Sequence, residues 1–157
     1  MRRNPFAKAD RLVIKRVYKN AATLKFNVEL KTYDTSSGTF TQDTYTFPRT
    51  VYIRNPHEIS DALVDNKLYF KGDLNTEIAY DDVCRSIKPL ATDPAIGTGT
   101  DTQDITDFRT PNGRNGGIDE TTDTLVFDDT EYRFVKIVPK QFYVGTPSRM
   151  KVILRAI

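Results

Sequence analysis

Cys84 and His57 are the only cysteine and the only histidine in the chain. A Cys–His nucleophilic pair needs contact between the two side chains and an electropositive setting for the thiol. His57 is expected in the first turn of a helix, where the dipole disfavours a charged imidazole. Cys84 lies in a strand-like stretch between Val83 and Ile87, where a small buried residue fits. Both read as structural. The acidic doublets Asp81-Asp82, Asp119-Glu120 and Asp128-Asp129 do not suit glycoside hydrolysis. That chemistry needs two carboxylates converging from different elements, and neighbours on a strand point to opposite faces. Asp101, Asp104 and Asp107 are spaced for oxygen ligation of a hard cation, but no EF-hand glycine and closing glutamate follow. Gly97-Thr98-Gly99 lacks the Gly-Lys-Ser/Thr and the helix start of a phosphate loop. Tyr45, Phe47, Tyr52, Tyr69 and Phe70 could stack bases on an OB-type barrel. Their strand spacing beside β-branched residues favours core packing. The expectation is a protein without catalytic residues, metal or cofactor.

One cysteine also excludes a disulfide scaffold, and one cysteine with one histidine excludes a zinc finger. No stretch approaches the length of an apolar membrane span. The start Met1-Arg2-Arg3-Asn4-Pro5 is basic, but no apolar region follows it, so no secretory signal is expected. The chain has 157 residues, enough to bury a core in one domain. It contains 20 Thr, 11 Val and 11 Ile. Such β-branched residues suit a pleated sheet.

The elements expected to position these residues are mostly strands. Residues 1–10 read as an N-terminal arm, and Leu12 to Tyr18 as a first strand. Leu24, Phe26, Val28 and Leu30 alternate with polar neighbours, the period-two signature of a half-buried strand. Residues 33–39 form a hairpin loop, and Phe40 to Phe47 returns as the partner strand. A short strand over Thr50–Arg54 follows Pro48. Asn55-Pro56-His57-Glu58 carries the cap, first-turn proline and capping-box glutamate of a short helix, with Ile59, Ala62 and Leu63 as its apolar stripe. Strands are expected at Leu68–Phe70, Thr76–Tyr80 and Val83–Ile87. After Asp128-Asp129, a tight turn, Thr130 to Val138 slips phase by one residue, which predicts a β-bulge. Pro139 is expected to end that strand, and residues 147–157 to close the chain as another. The whole predicts an all-β domain over 1–157. It is a small β-barrel of eight to ten strands, since closure removes exposed edges.

Residues 88–122 stand apart. They hold five of the eight Gly and three of the eight Pro, with Thr and Asp dominant and few apolar residues (Leu90, Ile96, Ile105, Phe108, Ile118). A loop of this length is usually functional or mobile. The net charge of +2 conceals a strong asymmetry. Residues 1–31 carry nine bases and two acids, and 133–157 six bases and no acid. Residues 91–132 carry two bases and ten acids. Such ends either neutralise the middle within one domain or bring opposite surfaces of two copies together. Nucleic-acid binding by the basic ends stays a competing reading.

The run from Asp123-Thr124-Leu125-Val126-Phe127 through Asp128-Asp129 to Tyr132-Arg133-Phe134-Val135-Lys136-Ile137-Val138-Pro139 resembles a module of small tailed-phage virion proteins. A link at Gly145 leads to the closing run Met150 to Arg155, and Leu68 to Thr76 resembles the segment upstream. Over residues 67–157 the chain is similar to the head–tail connector proteins (head-closure, or stopper, and neck proteins) of tailed bacteriophages. The resemblance implies a β-barrel virion protein at the neck, made in the host cytoplasm. It would form a ring (hexamer or dodecamer) that closes the head and links portal and adaptor to the tail tube, with no membrane partner. A long loop would project into the ring and gate packaged DNA without sequence specificity. Residues 88–122 match that loop by position and character, so Asp101, Asp104, Asp107, Arg109, Arg114 and Asp119 are its candidate DNA-facing residues. Arg2, Arg3, Lys8, Arg149, Lys151 and Arg155 are candidates for contacts with neighbouring subunits or partners. The chain is longer than that pattern in its first half and in the loop. Stopper, tail terminator and collar roles therefore all remain open.

Overall fold

The computed structural model describes residues 5–61, 64, 68–96, 103–109 and 115–157. The chain is mostly β, built on one antiparallel sheet of seven strands among the described residues. These are β1 (Asn20–Asp34), β2 (Thr39–Ile53), β3 (His57–Glu58), β4 (Leu74–Ala79), β5 (Thr124–Phe127), β6 (Thr130–Tyr143) and β7 (Thr146–Ala156). Helices α1 (Pro5–Val17), α2 (Tyr80–Ser86) and α3 (Ile105–Phe108) accompany them. The strand order is β2-β1-β5-β6-β7-β4-β3, and β2 also pairs with β4 at Ile53↔Ile78. That pair joins β2, at one end of the order, to β4, next to the other end, so six strands make a ring and β3 hangs outside it.

The alternation read in β1 places Leu24, Phe26 and Val28 inside. They meet Phe47, Val51 and Ile53 of β2, and Met150, Val152 and Leu154 of β7 in the same core. Asp128 and Asp129 both have positive φ, 50° and 59°. This is the two-residue turn whose twist matches a hairpin, and Asp tolerates it better than most residues. The register shift between Phe134 and Lys136 is the expected bulge.

Several elements differ from the sequence reading. Leu12–Tyr18 is not a strand: residues 5–17 are helical, including the second half of the expected arm, whose residues 1–4 lie outside the described residues. Asp10, Ile14 and Tyr18 are buried at i, i+4 and i+8, a helical spacing. The first of them is charged, which breaks the apolar signal. Val83–Ile87 is not a strand either, because Tyr80, Val83 and Ile87 are buried at helical spacing along and just after α2. His57 and Glu58 do not open a helix but pair with Asn75 and Leu74 as β3. Of the expected stripe, Ile59 is buried and Ala62 and Leu63 lie outside the described residues. Leu68–Phe70 forms bends, not a strand. Pro48 and Pro139 lie inside β2 and β6, opposite Lys25 and Met150. At those levels neither strand has a second neighbour, and a free edge is where a strand accepts proline.

Candidate interaction surface

The segment 88–122 is stitched into the fold at both ends. Arg49 sits at an inward position of β2, in phase with Phe47, Val51 and Ile53. Its guanidinium donates to both carboxylate oxygens of Asp93 at 2.6 and 2.5 Å, and to the carbonyls of Ser86 (2.6 Å), Lys88 (3.2 Å) and Pro48 (2.9 Å). Both side chains are at most 9% exposed. Asp93 also accepts from the Leu90 amide at 2.7 Å. Arg49 is the main cause that holds the Asp93 carboxyl below its usual range.

Arg109 forms the second clamp. It donates to Asp123 at 2.7 and 2.9 Å, to the Gly117 carbonyl at 3.2 Å and to the Asn27 carbonyl. The Asp123 carboxylate also accepts from the amides of Asn27 (2.9 Å) and Asp119 (2.8 Å). Between the clamps Ile96, Ile105 and Ile118 lie in the core. These are three of the sparse apolar residues of the segment. Gly116, at φ +62°, packs on α2, and an added Cβ would lie 3.1 Å from a Val83 methyl group. Only glycine suits both constraints.

Among the candidate DNA-facing residues, Arg109 is thus committed to an internal ion pair. Asp104 caps α3, accepting from the Thr106 amide at 2.8 Å, while Asp107 accepts from the Asp104 amide at 3.1 Å. Their spacing therefore builds a capping box. Asp119 accepts from the amide and hydroxyl of Thr121 at 2.9 and 2.6 Å. Asp101 and Arg114 lie outside the described residues.

The basic candidates divide in the same way. Arg149 contacts Asp10 and lies 3.8 Å from Glu77. Asp10 also accepts from the Ser148 hydroxyl at 2.6 Å, which fixes α1 to β7. Tyr18 donates to Glu77 at 2.7 Å, and burial followed by Glu77 raises its phenol pKa. Arg155 holds Asp73 through two bonds at 2.8 and 2.7 Å and lies 3.8 Å from the centre of the Phe70 ring. Lys8 is exposed on α1, and Lys151 is half-buried in β7. Arg2 and Arg3 lie outside the described residues. Cys84 is half-buried in α2, and burial pushes its thiol pKa up. His57 is exposed in β3.

One surface left open is the outer end of the β1–β2 hairpin. Every residue from Lys31 to Thr44 is exposed, so both faces meet solvent. Pairing nevertheless continues to Asp34↔Thr39, and the rings of Tyr33 and Phe40 meet across the strands, tilted by 50° with 4.9 Å between centroids. Asp34 closes the turn by accepting from the Ser36 amide (2.8 Å) and the hydroxyls of Ser36 (2.6 Å) and Ser37 (2.9 Å). At about 3.3 Å per residue the four outer pairs extend about 13 Å. Phe40 is 72% exposed, and a shallow hollow beside it is lined by Lys31 and Gln42. Large apolar groups on an ordered, projecting element mark contact surfaces. The sequence reading treated this region only as a hairpin. The signal it carried was an aromatic on each side of the turn. Among the described residues no helix is long and apolar enough to cross a membrane. The chain matches no protein-family model and no curated protein sequence.

Proposed function

We propose that the chain is a structural subunit of the head–tail junction of a tailed phage. In this reading the ring of strands is a small β-barrel, and copies of the chain assemble into a ring in the virion neck. The ring closes the head and links portal and adaptor to the tail. The observation that carries the reading is the ordered hairpin projecting from the sheet with both faces exposed. Its aromatic pair stabilises the hairpin itself and leaves Phe40 72% exposed, open to a partner. Further support comes from the resembling run, which folds as β5, a two-residue turn, a bulged β6 and a closing β7. The segment 88–122 is then the loop nearest the DNA. Its exposed acids, among them Asp107 and Glu120, keep phosphate from adhering, while its clamps hold it in place.

The second reading is a nucleic-acid-binding barrel that uses the basic ends. Arg149 and Arg155 weigh against it, because both are engaged by carboxylates of the same chain. The test is to mix the purified chain with portal complexes from the same genome and image them by electron microscopy. A ring seated under the portal is expected. Absence of binding to portal or adaptor, together with salt-dependent affinity for duplex DNA, would replace this reading by the second.

A further inference from the structure

The outer hairpin and α1 lie at opposite ends of β1. Helix α1 ends at Val17, just before β1 starts at Asn20 beside the Ile53↔Ile78 pair, whereas the outer hairpin pairs begin at Lys31↔Gln42, about 36 Å further along the strand. Helix α1 is fixed near the start of β7 by Asp10 and near the end of β4 by Ile14 and Tyr18 against Ala79. The stripe next to that buried one is apolar and open. Val13 and Val17, at i and i+4, are 48% and 41% exposed, and Leu12 beside them is 54% exposed. The helix carries Lys8, Arg11, Lys15 and Arg16 against Asp10 alone, a net +3. Residues 29–44 of the hairpin carry Glu29, Asp34 and Asp43 against Lys31, a net −2. One surface is therefore apolar within a basic frame, and the other is aromatic within an acidic one.

We infer that the β1–β2 hairpin of one copy docks on the Leu12–Val13–Val17 face of α1 in the next copy. The occupant is a second copy of this chain because the two surfaces complement each other in charge and lie at opposite ends of β1, too far apart to meet within one molecule. Such a head-to-tail contact repeats from copy to copy and closes a ring when its rotation divides a full turn, whereas a self-complementary patch gives only a dimer. The aromatic pair supplies the anchor and the surrounding charges set register and speed of encounter. This inference rests on the ring reading above and adds the surfaces that form it.

The test uses an equimolar mixture of ordinary and 15N-labelled full-length chain, alone and on portal complexes. A zero-length carbodiimide joins carboxylates to lysine amines, and mass spectrometry separates mixed-isotope links, which are intermolecular, from the rest. Expected are mixed-isotope links from Glu29, Asp34 or Asp43 to Lys8 or Lys15. Phe40→Asp and Val13→Asp should each reduce them more than about tenfold, as loss of an interface anchor does. Circular dichroism should stay unchanged and the melting midpoint should fall by no more than about 6 °C, since both positions are exposed and only the Tyr33–Phe40 contact is lost. Intermolecular links that map elsewhere, or that survive both substitutions, would overturn the hairpin–α1 contact and leave the ring reading standing. Hairpin-to-hairpin links would overturn it in favour of a two-fold dimer. Absence of mixed-isotope links under both conditions would overturn the contact and the ring together.

Discussion

Replacing Arg109 by Met tests whether the second clamp holds the 88–122 segment to the sheet. The substitution keeps the length of the side chain and removes the guanidinium. It leaves the Asp123 carboxylate, whose side chain is fully buried, with only the amides of Asn27 and Asp119 as donors. Breaking a buried pair from one side costs about 3–5 kcal/mol. The Asn27 and Gly117 carbonyls lose donors too, which keeps the expectation in the upper half of that range. For a chain of this size the melting midpoint should fall by about 8–20 °C. Urea denaturation followed by circular dichroism gives the free energy, and an unchanged slope shows that the denatured state is the same. Arg109→Lys should cost less but still lose the forked bonds to Asp123. Adding Asp123→Leu to Arg109→Met should recover only part of the loss, because the two amides that Asp123 satisfies become orphaned. A loss below about 1 kcal/mol for Arg109→Met would refute the clamp, since that is the scale of an exposed pair.

Other outcomes follow from the same contacts. Arg155 and Arg49 hold the Asp73 and Asp93 carboxyls below their usual range. Depressed folded-state values mean that this stability is present above the unfolded value, about 3.9, and is lost as pH falls through the folded ones. The urea midpoint should therefore be flat from about pH 7 to about pH 5 and drop below about pH 4. The drop should be shallower in Arg155→Met, and an equal drop there would sink the assignment. Val144 is a β-branched residue at φ 52° and 95% exposed at the β6–β7 turn. Val144→Gly should raise stability by about 1 kcal/mol, as thermal melts would show, because the left-handed conformation costs a branched residue about that much. Asp128-Asp129→Asn-Gly should raise the midpoint through the same relief, with Gly at the second positive φ, by about 0.5–1 kcal/mol. No rise in either variant would mean that the turns are not strained.

Much of the sheet was legible in the sequence, because the period-two pattern and turn chemistry are local signals. The alternation of Leu24, Phe26 and Val28, the turn at Asp128-Asp129 and the slip at Val135 all carry their meaning within a few residues. The helix α1 was not legible. Leu12-Val13-Ile14 has strand-like composition, and the charged Asp10 holds a buried position only because Ser148 and Arg149 reach it from the far end of the chain. The prolines misled for a related reason: whether a strand tolerates one depends on its second neighbour, which only the topology supplies. Arg49 offered a clue, a cation in the inward phase of an apolar alternation. Its partner Asp93 could not be chosen among the many acids of the chain. In the 88–122 segment, composition described the exposed majority, whereas three isoleucines and two arginines fix its place.

The ring of strands is fastened very unevenly. β1 and β2 pair over their whole length, from Asn20↔Ile53 to Asp34↔Thr39, but β2 meets β4 through one residue pair. Beside that pair stand the Arg54 amide on the Glu77 carbonyl at 3.0 Å and the Thr76 hydroxyl on the Arg54 carbonyl at 2.5 Å. The sheet is thus a continuous ribbon with a small clasp. Fraying the clasp at Ile53↔Ile78 breaks few backbone bonds, so it needs less free energy than global unfolding. The Arg54 amide should exchange its hydrogen well before those of β7. The opening stays confined to the end of β2, because Phe47 and Val51 remain in the core and Arg49 remains tied to Asp93.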